Sequence, residues 1–137
     1  MEFMQKFGRF FGLLLLVAII YFFYSIYSDY YQNVRVVEAY KHARMTATLT
    51  AEYFSKNLKF PDNIDKLDLE KAEPSYVGEI SIHKQTGIIK IQLVGKSLDE
   101  GIFIFSPTIN GSQLSYACQF SNIPIKYVPK DCTSKSS

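Results

Sequence analysis

Residues 10–28 read FFGLLLLVAIIYFFYSIYS and contain no charged side chain over 19 positions. A helix of this length spans roughly 28 Å at about 1.5 Å of rise per residue, which is close to the ~30 Å hydrocarbon core of a bilayer. Aromatic residues crowd its far end, where their rings favour the membrane interface. They are Tyr21, Phe22, Phe23, Tyr24, Tyr27, Tyr30 and Tyr31. The stretch is therefore predicted to be a transmembrane helix.

The charges that flank this span predict its orientation. Lys6 and Arg9 precede it, and Glu2 is the acidic residue before it. The positive-inside rule then places residues 1–9 in the cytoplasm and the remainder of the chain across the membrane. A cleaved secretory signal is the competing interpretation, but residues 24–28 are large at alternate positions, unlike the small residues of a cleavage site. An uncleaved, single-pass anchor is predicted.

Composition limits what lies beyond the span. Residues 29–137 can form one small domain. The whole chain has 15 Lys and Arg against 13 Asp and Glu, a balance that disfavours a dedicated nucleic-acid binder. It is 47% hydrophobic and 20% charged, which excludes a disordered chain. We expect a folded domain held at a membrane.

The helix is predicted to continue past the membrane to about residue 57. No glycine or proline occurs from residue 29 to residue 57. Apolar and small residues recur there at steps of three and four, the spacing of an amphipathic helix that packs on its own domain. They are Val36, Ala39, Tyr40, Ala43, Ala47, Thr50, Ala51 and Phe54. The segment Lys59-Phe60-Pro61 then ends the helix.

The hydrophobic period changes to that of strands over about residues 76–120. Strands are predicted near 76–83, 89–93, 101–106 and 113–120, with turns at Thr86-Gly87 and Asn110-Gly111. The predicted fold is α+β, a long helix packed on a four-stranded, mainly antiparallel sheet.

Cys118 and Cys132 enclose 13 residues near the end of the chain. Outside the cytoplasm such a pair is usually a disulfide, and a loop of this size would add about 3 kcal/mol of stability. A disulfide loop over 118–132 is therefore predicted. A metal site is disfavoured, because two cysteines are too few ligands and neither His42 nor His83 is close in sequence.

An enzyme is not predicted. The two histidines have no serine and aspartate in a catalytic order, and no phosphate-binding glycine loop or metal-ligand spacing occurs. The acidic residues Asp62, Asp65, Asp68 and Glu70 indicate a solvated loop. No cofactor and no small-molecule substrate are expected.

These parts, in this order, resemble the type IV pilins of bacteria over nearly the whole chain. Tyr27-Ser28-Asp29-Tyr30 and Ala51-Glu52-Tyr53 are similar to the pilin helix, and Lys59-Phe60-Pro61 to the segment after it. The most specific match is Tyr116-Ala117-Cys118, followed by the ending KYVPKDC at 126–132; Tyr116 stands where pilins usually have Trp. The resemblance implies a helix that leaves the membrane, packs on an antiparallel sheet and ends in a disulfide loop.

The N-terminus departs from the family pattern. Prepilins carry a basic leader that ends in Gly, followed by Phe-Thr-Leu-Ile-Glu-Leu, and prepilin peptidase cuts after the Gly. Cleavage here after Gly8 would put Leu13 at the position of the Glu, and cleavage after Gly12 would put Val17 there. Neither register supplies a carboxylate. Gly8 and Gly12 also form a small-xxx-small pair that would allow another helix to approach closely.

Two functions follow from the resemblance. The first is an accessory or modulator of type IV pilus assembly, anchored in the bacterial inner membrane with its head in the periplasm, whose partners are pilins or other pilus-assembly proteins. The alternative is a minor pilin or pseudopilin, processed after Gly8 or Gly12, that enters a fibre at the cell surface for structure, adhesion or DNA uptake. Lys126, Lys130 and Lys135 form only a weak basic patch, so nucleic-acid binding is not expected.

Overall fold

The computed structural model describes residues 1–67, 77–95, 98 and 100–134. The helix α1 (Glu2–Asn57) comes first, and a 3₁₀ turn (Ile64–Lys66) follows it. The strands are β1 (Val77–Ile82), β2 (Ile89–Leu93), β3 (Ile102–Asn110), β4 (Gln113–Ser121) and β5 (Cys132–Ser134), with a second 3₁₀ turn (Ile125–Tyr127) before β5. The chain divides into two compact units, Met1–Asn33 and Val34–Ser137. The predicted α+β fold, with one long N-terminal helix and an antiparallel sheet, is confirmed.

The sheet has five strands in the order β1-β2-β3-β4-β5, and the first four are antiparallel neighbours in sequence. The prediction of four strands was wrong by one, since the predicted sheet ends at about residue 120 and the predicted disulfide loop at residue 132. Residues 132–134 form β5, which pairs in parallel with β4 and places Cys132 opposite Cys118. The Cα atoms of this pair are 4.6 Å apart, so the bond brings the backbone that follows into line with β4. The expected start of the first strand at residue 76 lies outside the described residues.

The β3–β4 hairpin is longer than the sequence indicated. β3 runs to Asn110, past the expected end at residue 106, and Asn110 pairs with Gln113. The loop therefore consists of Gly111 and Ser112. Gly111 has φ 63° and Ser112 has a negative φ, as in a type II′ turn. Asn110 belongs to the strand rather than to the turn.

One buried face of the sheet packs against the second half of α1. Ile89, Ile91, Phe103 and Phe105 are 0% exposed. On the outer face, Lys90 and Gln92 of β2 are exposed, and Ile102 and Ile104 of β3 are half-buried. The buried side chains of α1 are Val36, Ala39, Ala43, Thr46, Ala47, Thr50 and Phe54. The two buried threonine hydroxyls donate to carbonyls one turn earlier, at 2.8 Å and 2.7 Å, so their burial leaves no unpaired donor.

The segment after α1 covers the end of the core that lies near Phe54 and the β1–β2 turn. Leu58 has φ 53° and takes the chain out of the helix. The ring of Phe60 then packs on Phe54, with centroids 5.0 Å apart. A Cβ at Gly87 would lie 2.2 Å from the Phe60 ring, so the β1–β2 turn requires glycine there. The Tyr116 hydroxyl donates to the Gly87 carbonyl at 2.9 Å and ties β4 to the same turn.

Candidate functional site: helix surfaces and the disulfide loop

The unit Met1–Asn33 presents a continuous apolar surface. Its Leu, Ile and Phe side chains are exposed by roughly half or more, among them Leu13, Leu16, Ile20 and Phe23. The helix is long and apolar enough to cross a membrane by length and composition. An apolar surface of this extent is costly in water and is suited to contact with lipid or with apolar helices.

Gly8 and Gly12 lie one turn apart on this unit. A Cβ at either position would meet no heavy atom within 4 Å. Glycines spaced in this way let two helix backbones come close together in a membrane. Leu13 and Val17, which follow them, are apolar, and no acidic residue occurs between Glu2 and Asp29. The surface can pack against apolar helices but offers no carboxylate to a cationic partner.

In the second unit, the disulfide between Cys118 and Cys132 is present. Both cysteines are buried, at 5% and 8% exposure. The bond links β4 to β5 and closes the segment that contains the second 3₁₀ turn. Ile123 packs into the core from this segment, whereas Ile125 is 79% exposed. The disulfide therefore fixes a loop that has one buried side and one apolar residue directed to the outside.

A cluster of three side chains joins α1 to this loop, and we call Tyr40, Arg44 and Asp131 the helix–loop cluster. The Arg44 Nε donates to the Tyr40 hydroxyl at 2.8 Å. The Tyr40 hydroxyl and the Arg44 Nη2 both donate to one Asp131 carboxylate oxygen. The Arg44 guanidinium also lies 5.8 Å from the ring centroid of Phe105. The cluster sets the position of the residue that directly precedes β5.

The cluster perturbs the acid–base properties of its members. The pKa of Asp131 is lowered, chiefly by the hydrogen bond from Tyr40 and also by Arg44. The pKa of Tyr40 is raised, first by burial and then by its bond to Asp131. The Asp131 and Arg44 side chains are nearly half exposed, so this ion pair contributes no more than about 1 kcal/mol. Its main effect is to orient the loop on the helix.

Sequence reasoning missed this cluster. The spacing of apolar residues places Tyr40 in the buried stripe of the helix, and no sequence pattern gives a role to Arg44 or Asp131. The signal was present in part, because Tyr40 and Arg44 are four residues apart on one helix face and Asp131 adjoins Cys132. Nothing in the sequence indicated which face the loop would meet.

A second contact of α1 holds the segment after β2. The Arg35 Nη1 donates to the Val94 carbonyl at 3.2 Å. Gly95 has φ 145°, and a Cβ there would lie 1.9 Å from that Nη1 atom. Arg35 therefore requires glycine at position 95 in order to reach the end of β2. The second half of α1 is thus held to the rest of the head at two places, by Arg35 at the end of β2 and by the helix–loop cluster beside β5.

The other residues considered from sequence lie apart from this cluster. His83 is exposed in the β1–β2 turn, where its Nδ1 accepts from the Thr86 N–H at 3.3 Å. His42 is half-buried on α1. Lys126 and Lys130 are exposed on the disulfide loop, and Lys135 lies outside the described residues. Within the described ranges no group of three His, Cys, Asp or Glu side chains is placed to hold a metal ion.

Comparison with known proteins identifies the family. The model of the pilins, proteins of bacterial filaments, matches residues 35–133. This match covers more than two thirds of the chain and falls within the second compact unit. No curated protein matches the chain. With its long N-terminal helix, antiparallel sheet and C-terminal disulfide, the chain belongs to the pilin family.

Proposed function

We propose that this pilin-like protein acts in type IV pilus biogenesis as a membrane-anchored accessory or modulator of pilin assembly. It remains in the inner membrane through an uncleaved helix, with its head in the periplasm. The observation that carries the proposal is the uncharged run of residues 10–28, which is exposed along its length and preceded by Lys6 and Arg9.

This charge pattern is poorly suited to the core of a fibre made of packed helices. Retaining residues 1–9 would place a charged, hydrated segment among apolar helices. Cleavage after Gly8 would instead bury a new amino terminus and Arg9 with no carboxylate from the following turns of the helix. An unpaired buried charge costs several kcal/mol, so a position at the membrane surface is favoured over one inside a fibre.

The proposed action uses two surfaces. The face around Gly8 and Gly12 packs beside pilin helices in the bilayer, because small residues allow close helix contact. The head then contacts the head of a pilin. The two heads share a fold and are therefore similar in size. Binding a pilin in this way would hold it in the membrane pool and alter the rate at which it joins a fibre.

The alternative is a minor pilin or pseudopilin that enters the fibre. It is supported by the pilin match across the head, residues 35–133. A subunit at the fibre tip would have no subunit above its helix, so the missing carboxylate would matter less there. This alternative requires processing after Gly8 or Gly12.

The intact mass of the protein, purified from membranes of a host that has its own prepilin peptidase, tests the proposal. We expect a mass that includes residues 1–8, in the membrane fraction and not in sheared fibres. Gly8→Leu and Gly12→Leu should then change the mass only by the substitution. A species that begins at Arg9 or Leu13 and disappears in one of these variants would refute the accessory role and establish a processed pilin.

A further inference from the structure

One strand edge of the head is paired along only part of its length. β5 covers Cys118–Phe120 of β4. Within the part of the chain that the structure describes, no strand pairs with residues 113–117 on the side away from β3. We call residues 113–117 the open edge.

The register of the hairpin identifies the backbone groups that face outward. Asn110 and Gln113 close a two-residue loop, and the closing pair of such a hairpin is hydrogen-bonded. Hydrogen-bonded and non-bonded pairs alternate along an antiparallel ladder, so Gln113, Ser115 and Ala117 bond to β3. Leu114 and Tyr116 therefore direct their N–H and C=O groups to the open edge. An added strand would find two donors and two acceptors there.

A groove of about 390 Å³ lies between α1 and this edge. Its lining residues are Arg44, Ala47, Thr48, Ala51, Leu114, Ser115 and Tyr116. Ala47 and Ala51 are small, so the groove has room for side chains that an added strand would point towards the helix. In such a strand every second residue faces this way.

Arg44 is the charged side chain of the groove. Its Nε bonds to Tyr40 and its Nη2 to Asp131. A guanidinium carries five N–H donors, so Arg44 has the capacity to bind a second carboxylate. The groove thus combines a small apolar floor with one cationic group.

The protein's own segment 131–134 already binds to β4 and Arg44 through backbone pairing and one carboxylate. Asp131 places its carboxylate on Arg44 and Tyr40, and the next three residues pair with β4 as β5. The open edge continues the same line along β4 and borders the same arginine. A ligand that matches this surface is therefore an extended strand that pairs with the backbone of β4 and places one carboxylate on Arg44.

We propose that the open edge and its groove bind an extended segment of a partner protein as an added strand on β4. The bound segment has small apolar residues facing Ala47 and Ala51 and an aspartate or glutamate facing Arg44. Strand addition uses main-chain bonds for affinity and alternate side chains for specificity. The proposal is independent of the accessory role, because it concerns the head and applies equally to a subunit inside a fibre.

The test uses the full chain, labelled with ¹⁵N and held in lipid nanodiscs, and a synthetic peptide. The probe is acetyl-Thr-Val-Thr-Asp-Thr-Val-Thr-amide, whose symmetrical sequence presents Val, Asp and Val on one face in either strand direction. The control peptide has Lys in place of Asp. We expect saturable shifts of the amide signals of residues 113–117, and at least tenfold weaker binding of the Lys peptide.

Matched variants separate the backbone contribution from the charge. Leu114→Pro removes one outward N–H at an edge position that tolerates proline, and should weaken binding at least tenfold. Leu114→Thr retains that N–H and should change binding by less than threefold. Arg44→Gln should weaken binding of the Asp peptide at least tenfold. Asp131→Asn should strengthen it several-fold, because it removes the carboxylate that competes for Arg44.

Several outcomes would overturn the proposal. These are equal binding of the Asp and Lys peptides, no shift at residues 113–117 with millimolar peptide, and weaker binding in Asp131→Asn. Self-association of the head through the open edge would also overturn it, since the occupant would then be a second copy. If Leu114→Pro does not fold, the opposite effects of Arg44→Gln and Asp131→Asn decide the question. None of these results depends on whether residues 1–8 are retained, so the two proposals can fail separately.

Discussion

The two halves of α1 differ in hydrophobicity and in burial: the first half is strongly apolar and exposed, and the second is less apolar and partly buried. In residues 2–33, large apolar side chains are common and none is buried. In residues 34–57, seven side chains are buried, and most are small, such as Ala39, Ala43 and Ala47. The more apolar half is thus the more exposed one.

Packing geometry explains the difference. The sheet presents the rings of Phe103 and Phe105 to the second half of the helix, and Tyr40 meets them with centroid distances of 5.9 Å and 6.1 Å. Small residues beside Tyr40 let the helix approach these rings closely. The first half meets no such surface within its own unit, so its large side chains are suited to lipid and to helices of other proteins.

The largest effect is expected where burial is complete. Phe103→Ala should lower the free energy of unfolding of the head by about 3–5 kcal/mol, because it leaves a cavity at a fully buried position. The matched control Phe22→Ala lies in the exposed half and should leave head unfolding unchanged. Denaturant titration of the full chain in detergent measures both, and equal losses would contradict the contrast between the halves.

For membrane retention, the first half of α1 should be the sensitive half and the second half the tolerant one. Leu15→Arg should disfavour insertion by about 2.5–3.5 kcal/mol, since a charge would enter the apolar span. Met45→Arg, at an exposed position of the second half, should remain fully membrane-bound. Extraction at alkaline pH measures the retained fraction. If Leu15→Arg were retained like the parent, the assignment of residues 10–28 as the span would be wrong.

The disulfide should contribute an effect of about 3 kcal/mol or slightly less. Cys118→Ala combined with Cys132→Ala frees the end of the chain and should reduce head stability by about this amount, as expected for a loop of this length. Thermal unfolding under oxidising conditions measures the loss, and reduction of the parent serves as the control. A double variant that melts with the oxidised parent would show that the bond adds no stability.

The smallest effect belongs to the helix–loop cluster. Because the pKa of Asp131 is lowered in the fold, its contribution is complete above the ordinary pKa of an aspartate, about 3.9. It is lost as the pH falls through the lower, folded value. Asp131→Asn should cost less than about 1 kcal/mol at pH 7 and should flatten the stability profile below pH 4. An unchanged profile in urea titrations at pH 7, 4 and 3 would exclude this role for Asp131.

Much of the fold could be predicted because it follows local patterns. The long helix with its buried stripe and the alternating strands each depend on a hydrophobic period within one segment. The disulfide was predictable from the even number of cysteines together with the predicted location outside the cytoplasm. The match of the pilin family to residues 35–133 confirms the resemblance that these elements showed.

The remainder depends on contacts between distant residues. The described part of β5, Cys132–Ser134, has no recognisable period of its own, and it lies beside β4 because Cys132 is bonded to Cys118. Likewise, Arg44 and Asp131 are 87 positions apart, so their pairing requires the assembled helix, sheet and loop. Among the described residues, the edge of β4 is open over 113–117 because β5 begins opposite Cys118 and runs parallel to β4 away from them. Sequence alone determined the long helix and the four antiparallel strands, since local periodicity encodes these, and it predicts a membrane span over residues 10–28. Only the tertiary structure decided which surfaces remain available to a partner, since that depends on where distant segments stop covering one another.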